Sequence, residues 1–174
     1  AAGKPVRYLG HKKNEGGPLD PKTGQGLSFE SQVHAVQLVE LEVDTGTGGV
    51  RILKMTTAVD AGPVINPHNL TGQLEGGADM GVGLALREKY VAGETKDWRT
   101  FKFPTISTSF PQEVIIRETP RPRGTLGSTG VGEMCMVPTA PAVINGIKDA
   151  IGVFICDLPA TPDKVLAAIG AASN

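Results

Sequence analysis

From Ser28 to Asp44 apolar and polar positions alternate. Val33, Ala35, Val39, Leu41 and Val43 share one side of an extended chain; His34, Glu40, Glu42 and Asp44 share the other. Thr45-Gly46-Thr47-Gly48-Gly49 supplies a turn, and a second alternating run from Val50 to Val59 completes the pattern of an antiparallel hairpin. Asp60-Ala61-Gly62-Pro63 breaks that strand, and Ile65-Asn66-Pro67 prepares a helix start. From about Asn69 to Tyr90, Leu70, Leu74, Ala78 and Ala85 fall near one helical face. Strand-like stretches at Arg99 to Phe103 and Glu113 to Glu118 precede a turn-rich passage from Thr119 to Glu133. Thr139 resembles a helix cap, followed by the apolar stripe Val143, Ile144, Ile147, Ala150 and Ile151, which Gly152 ends. Val153 to Cys156 reads as a buried strand. Thr161-Pro162-Asp163 gives a cap, a first-turn proline and an acidic first-turn residue for a last helix to about Ala171. Strands and helices mix without regular crossover units, so the expected class is α+β: a mixed sheet and hairpins with packed helices.

Two features modify this outline. Gly72, Gly76, Gly77, Gly81 and Gly83 interrupt the first helix, each costing on the order of 1 kcal/mol against alanine. That cost implies a close approach by another element, of this chain or of a different one. Residues 1–27 carry many glycines, lysines and prolines with little periodicity, so they are expected to form an extended N-terminal arm on a folded body at 28–174.

Composition narrows the function classes. The 174 residues suit one domain, or two small lobes sharing a core, and 40% hydrophobic content is enough for such a core. A net charge of -1 from 17 basic and 18 acidic residues gives no reason to expect a nucleic-acid or anionic-membrane partner. The 23 glycines and 13 prolines cluster without a repeat period, which points to shaped loops rather than collagen or linker. Cys135 and Cys156 offer neither a disulfide framework nor a paired metal motif. No window approaches a membrane span and the start lacks the apolar core of a signal peptide, so the expected location is the cytoplasm.

The candidate chemistry concentrates between Arg121 and Glu133. Arg121-Pro122-Arg123-Gly124 opens the loop with fixed dihedrals and positive charge, and Gly127, Gly130 and Gly132 let the backbone approach a ligand closely. Consecutive N–H groups along such a path can bind an anion. Glu133 ends the loop beside Met134, Cys135, Met136 and Val137, where scarce water would raise its basicity. A solvated glutamate, or one paired with Arg121 or Arg123, is the competing reading. Gln73, among the helix glycines, is the best candidate ligand contact there, since an amide both donates and accepts; pure packing competes for the glycines. Gly130-x-Gly132 lacks the strand and helix of a dinucleotide fingerprint. His11, His34 and His68 are too dispersed for a metal motif, so no metal ligand is assigned to the chain. No Gly-x-Ser-x-Gly elbow supports a nucleophilic serine.

Two motifs together resemble the molybdenum hydroxylases, the xanthine dehydrogenase and aldehyde oxidoreductase family. The first is Asp60-Ala61-Gly62-Pro63-Val64-Ile65-Asn66-Pro67 leading to Gly72-Gln73-Leu74-Glu75-Gly76-Gly77 and Gly81-Val82-Gly83. The second is Gly127-Ser128-Thr129-Gly130-Val131-Gly132-Glu133, followed by the Pro141 to Ala150 helix and the stretch Asp157 to Leu166. The likeness spans about residues 30 to 169 and implies the C-terminal part of the molybdopterin-binding domain, either a separate subunit or one piece of a longer chain. It further implies a molybdenum-pterin cofactor, in the form of molybdopterin cytosine dinucleotide, and oxidation of an aldehyde or N-heteroaromatic carbon with water-derived oxygen. By the same resemblance Glu133 is the general base that takes a proton from a molybdenum-bound hydroxide. Gln73 and the backbone of Ser128, Thr129, Gly130, Val131 and Gly132 would contact the cofactor. Many relatives have lysine where Thr129 stands, which removes a charge near the pterin. Implied partners are a larger molybdopterin-binding chain, an iron–sulfur subunit and an FAD subunit. A noncatalytic structural or interaction subunit with the same fold is the alternative.

Overall fold

The computed structural model describes residues 7–11, 16–29 and 31–172. The alternating runs form the expected hairpin. Strand β1, His34–Val43, pairs antiparallel with β2, Val50–Asp60, from His34 opposite Asp60 to Val43 opposite Val50, with a register shift at Glu40/Leu41. Asp44 builds the turn: its Oδ1 accepts from the N–H groups of Gly46 and Thr47 at 2.8 and 3.1 Å. Strand β3, Gln112–Arg117, lies parallel to β2 on its other side, giving a three-stranded mixed sheet in the order β1-β2-β3.

Helix α1, Pro67–Leu86, is capped by Asn66, whose side chain accepts from Asn69 N–H at 3.0 Å, with Pro67 in the first turn. It stops short of the expected Tyr90, where Arg87 and Glu88 N–H both turn back to Gly83 O. Helix α2, Trp98–Phe101, replaces the strand expected at Arg99 to Phe103. Asp97 and Thr100 form a reciprocal capping box, which outweighs three alternating side chains with no neighbouring strand to pair. Helix α3, Thr139–Ile151, ends at Gly152 as expected, and α4 spans Pro162–Ala172.

Two further expectations are corrected. Thr139 is the first helical residue of α3, not its cap; Pro138 occupies the cap position and the Thr139 hydroxyl is used elsewhere. Val153 to Cys156 is not a strand. Only Ile155 is buried, reaching the core from a segment that pairs with no strand among the described residues. Of the expected arm, residues 1–6 and 12–15 lie outside those described; Gly17 N–H bonds Leu27 O at 2.7 Å around a turn at Asp20. The core has two parts. Met55, Ala78, Val82, Val143, Ile147 and Val165 join sheet and helices, while Val59, Leu70, Leu74 and Cys135 lie under the ends of β2 and β3.

The close approach that the helix glycines imply takes place within this chain. A Cβ on Gly77 would lie 2.6 Å from Cys135 Cβ and nearer still to its Sγ; one on Gly81 would lie 2.7 Å from Thr139 Cγ2. Gly83 accommodates Pro104 and the Glu88 carboxylate. Gly72 and Gly76 face open space.

Candidate functional site

Because β2 and β3 run parallel, the loops leaving Asp60 and Arg117 emerge side by side. They are then tied together. Arg121 Nη2 lies 3.2 Å from Asp60 Oδ1 and donates to Asp60 O at 2.8 Å, while its Nε and Nη1 donate to Gln32 O and Thr119 O. Hydrogen bonds from Thr119, side chain and backbone, and from Gly62 N–H, with Arg121 alongside, hold the Asp60 carboxyl down at about 2. Thr129 N–H bonds Ala61 O at 2.8 Å, Ser128 Oγ donates to Pro63 O, and Ser31 and Thr129 hydroxyls meet at 3.1 Å. Gly62 sits at φ 74° with Gly127 directly against it, a position that only glycine fills without strain.

The two loops and the start of α1 enclose a cavity of about 450 Å³, walled by Ala61, Val64, Asn69, Gln73, Ser128 and Gly132 among others. The N–H groups of Ser128 and Thr129 are spent on Thr125 O and Ala61 O, but those of Gly130, Val131 and Gly132 bond no described residue. Neither Gly130 nor Gly132 has an atom of a described residue, beyond its own chain neighbours, within 4 Å of where a Cβ would stand. That bare stretch of backbone is the part of the expected anion-binding path open to a ligand. Gln73, the expected ligand contact, donates from Nε2 to Gly132 O at 2.8 Å, so one end of its amide shapes the loop.

Glu133 follows in the turn that carries the chain into α3. The expectation that it sits where water is scarce is not met within this chain, because Glu133 is exposed. Its carboxylate makes no hydrogen bond or ion pair to any described residue; Arg121, a pairing partner that the sequence allows, is engaged by Asp60. Cys135 beneath it is fully buried, its thiol donating to Gly132 O at 3.3 Å. His11, His34 and His68 are exposed, and among the described residues no group of three His, Cys, Asp or Glu side chains is placed to hold a metal ion.

Sequence pattern alone passes over Gln37. It faces inward on β1, donates to Thr57 Oγ1 at 3.0 Å and Cys135 O at 3.1 Å, and accepts from Thr139 Oγ1 at 2.6 Å. A signal is nonetheless present: an amide in the inward series Val33, Ala35, Val39, Leu41.

Comparison with known proteins decides the family. A family model described as the molybdopterin cofactor-binding domain matches residues 2–109. The aldehyde oxidoreductase of Megalodesulfovibrio gigas is 37% identical over 98% of this chain, which covers 19% of that protein. The chain belongs to the molybdopterin cofactor-binding domain family. Further relatives of this family include the nicotine 6-hydroxylase large subunit of Paenarthrobacter nicotinovorans, 35% identical over 74% of the chain and 17% of that protein. The xanthine dehydrogenase molybdenum-binding subunit of Escherichia coli is 30% identical over 83% of the chain and 21% of that protein. In the solved aldehyde oxidoreductase from Desulfovibrio gigas, the same fold superposes with a TM-score of 0.86 at 35% identity, over 89% of this chain and 17% of that one. The chain thus spans about a fifth of the length of the curated relatives it matches. No helix among the described residues is long and apolar enough to cross a membrane.

Proposed function

We propose that this chain supplies the catalytic base and one wall of the cofactor site of a molybdenum hydroxylase, which oxidises an aldehyde or N-heteroaromatic carbon with water-derived oxygen. The observation that carries the reading is the loop beside the cavity: the N–H groups of Gly130, Val131 and Gly132 bond no described residue, Val131 and Gly132 line the cavity, and the carboxylate of Glu133, the next residue, engages no described residue. The glycines present bare backbone to a flat, oxygen-rich group, and the Gln73 amide oxygen and the Ser128 and Thr129 positions complete the contacts. A molybdenum-pterin group, in this reading molybdopterin cytosine dinucleotide, supplies when bound the Lewis acidity that acidifies a water and the capacity to take up two electrons.

Glu133 then accepts a proton from the attacking oxygen, a task for which its carboxylate has no competing cation among the described residues. Residues 28–174 serve as the C-terminal portion of the molybdopterin-binding domain, with 1–27 as an arm lying against other polypeptide. Activity requires the larger molybdopterin-binding part, whose walls enclose Glu133 and select the substrate, and iron–sulfur and FAD subunits that carry electrons away in the cytoplasm.

The test is Glu133→Gln in the assembled enzyme, assayed against both an aldehyde and an N-heteroaromatic. Turnover should fall by about 10²-fold or more, the range for loss of a general base, with molybdenum and pterin content unchanged. Turnover at the wild-type rate would refute the base assignment. A properly matured complex without molybdenum would instead make the chain a noncatalytic module.

A further inference from the structure

We infer that Gln37 is a positioning residue that fixes the turn presenting Glu133; the inference rests on the base role proposed for Glu133. Residues 132–138 form a turn between the cofactor loop and α3, held internally by Met136 N–H on Glu133 O and Thr139 N–H on Met136 O, both at 3.2 Å; its placement on the body of the fold then depends on what binds its remaining carbonyls. Two amides bracket Glu133. Gln73, on α1, holds Gly132 O on one side; Gln37, on β1, holds Cys135 O on the other.

Gln37 is anchored far more firmly than a surface amide. Its Nε2 also donates to Thr57 Oγ1 on β2, and its Oε1 accepts from Thr139 Oγ1 at the start of α3. Thr57 and Thr139 are buried, at 2% and 0% exposure. One side chain therefore ties two strands, the turn and the next helix. The Cys135 thiol, seated on Gly77, packs the turn from below and leaves no room for it to slide toward α1. Loss of the Gln37 contact would free the Cys135 end of the turn to shift and carry Glu133 with it. A general base works only within hydrogen-bond reach of its proton, so a displacement of about 1 Å is enough to cost up to a hundredfold in rate.

The experiment uses the assembled enzyme carrying Gln37→Leu, which keeps the bulk and removes every hydrogen bond. Thr139→Val and Thr139→Ser accompany it as a pair that removes or keeps the hydroxyl on Oε1. The expected result for Gln37→Leu is a kcat lower by about tenfold to a hundredfold, with KM changed by less than about twofold and molybdenum content unchanged. Amide hydrogen exchange across 131–138 should speed up by about tenfold or more while the α1 peptides keep their protection. Thr139→Val should follow in the same direction and Thr139→Ser should stay near wild type. If Gln37→Leu does not fold, the Thr139 pair decides alone. Unchanged kcat and exchange in Gln37→Leu or Thr139→Val overturn the inference, as does a loss of activity that tracks loss of molybdenum. Glu133→Gln run alongside separates the two claims: an active Glu133→Gln removes the premise, whereas an inactive one beside a normal Gln37→Leu removes only the inference.

Discussion

Adjacent glycines on α1 should respond to alanine with opposite signs. At Gly76 an added Cβ meets nothing within 4 Å, and the backbone is ordinary right-handed helix. The substitution removes the helix penalty of glycine, so Gly76→Ala should stabilise the chain by about 0.5–1 kcal/mol. At Gly77 the same Cβ would stand 2.6 Å from Cys135 Cβ and 3.1 Å from its backbone carbon, with the thiol closer still. The thiol could rotate, but the Cβ and backbone belong to the turn that Gln37 and Gln73 hold from both sides. Overpacking of this kind costs about 1–3 kcal/mol and outweighs the propensity gain, for a net loss of up to about 2 kcal/mol. Denaturant unfolding of the two variants beside wild type reads the difference directly. In a chain of this size each 1 kcal/mol moves the thermal midpoint by about 2–4 °C. Equal stability of Gly76→Ala and Gly77→Ala would refute the claim that α1 approaches the Glu133 turn closely enough to exclude a methyl group.

Other consequences are as specific. The Asp60 carboxyl is held down at about 2, so it contributes stability that is present above the unfolded value of about 4 and lost as pH falls toward about 2. Asp60→Asn should flatten the pH dependence of the unfolding midpoint across that window, and an undiminished slope would show that the acid sensitivity arises elsewhere. Gly62→Ala forces a side chain into φ 74° against Gly127 and should cost at least about 1 kcal/mol, detected as faster limited proteolysis of the 60–66 loop; wild-type cleavage would mean the two loops are not tied there. Gly130→Val should change stability by less than about 0.5 kcal/mol, since no described residue occupies the space beside it, yet lower the cofactor content of the assembled enzyme. Full cofactor loading in that variant would move the cofactor away from Gly130.

The hairpin and the main helices were legible in the sequence because their periods are long and locally signalled. Ten alternating residues in β1, the Asn66-Pro67 start of α1 and the Gly152 stop of α3 each encode their own element. The two false strands were a short alternating stretch and a short apolar run, where a side-chain cap at Asp97 or the lack of a pairing strand among the described residues at Val153 decides the outcome. The parallel pairing of β2 with β3 was not legible. It joins residues almost sixty positions apart, yet it is what sets the Asp60 loop beside the Arg121 loop. Gln37 was overlooked for a related reason: one amide in an apolar face looks like a defect until the carbonyl it serves, 98 residues away, folds over it.

The α1 glycines separate what this chain completes by itself from what it leaves open. Gly77, Gly81 and Gly83 are explained from within, by Cys135, Thr139 and the Glu88–Pro104 pair. Gly72 and Gly76, together with Gly130 and Gly132 on the loop before Glu133, face space that no described residue fills. Gln73 lies between the two sets, lining the cavity beside the Ser128–Gly132 loop and a second cavity of about 480 Å³ formed with Phe103, Ile106 and Met80. Glycines whose cost is offset by internal packing belong to the fold, whereas glycines with open faces gain nothing from it and are best accounted for by a group that approaches from outside. The exposure of Glu133 fits the same division: this chain braces its turn through Gln37 and Gln73, and in the proposed function the cofactor and the remaining polypeptide would close over it.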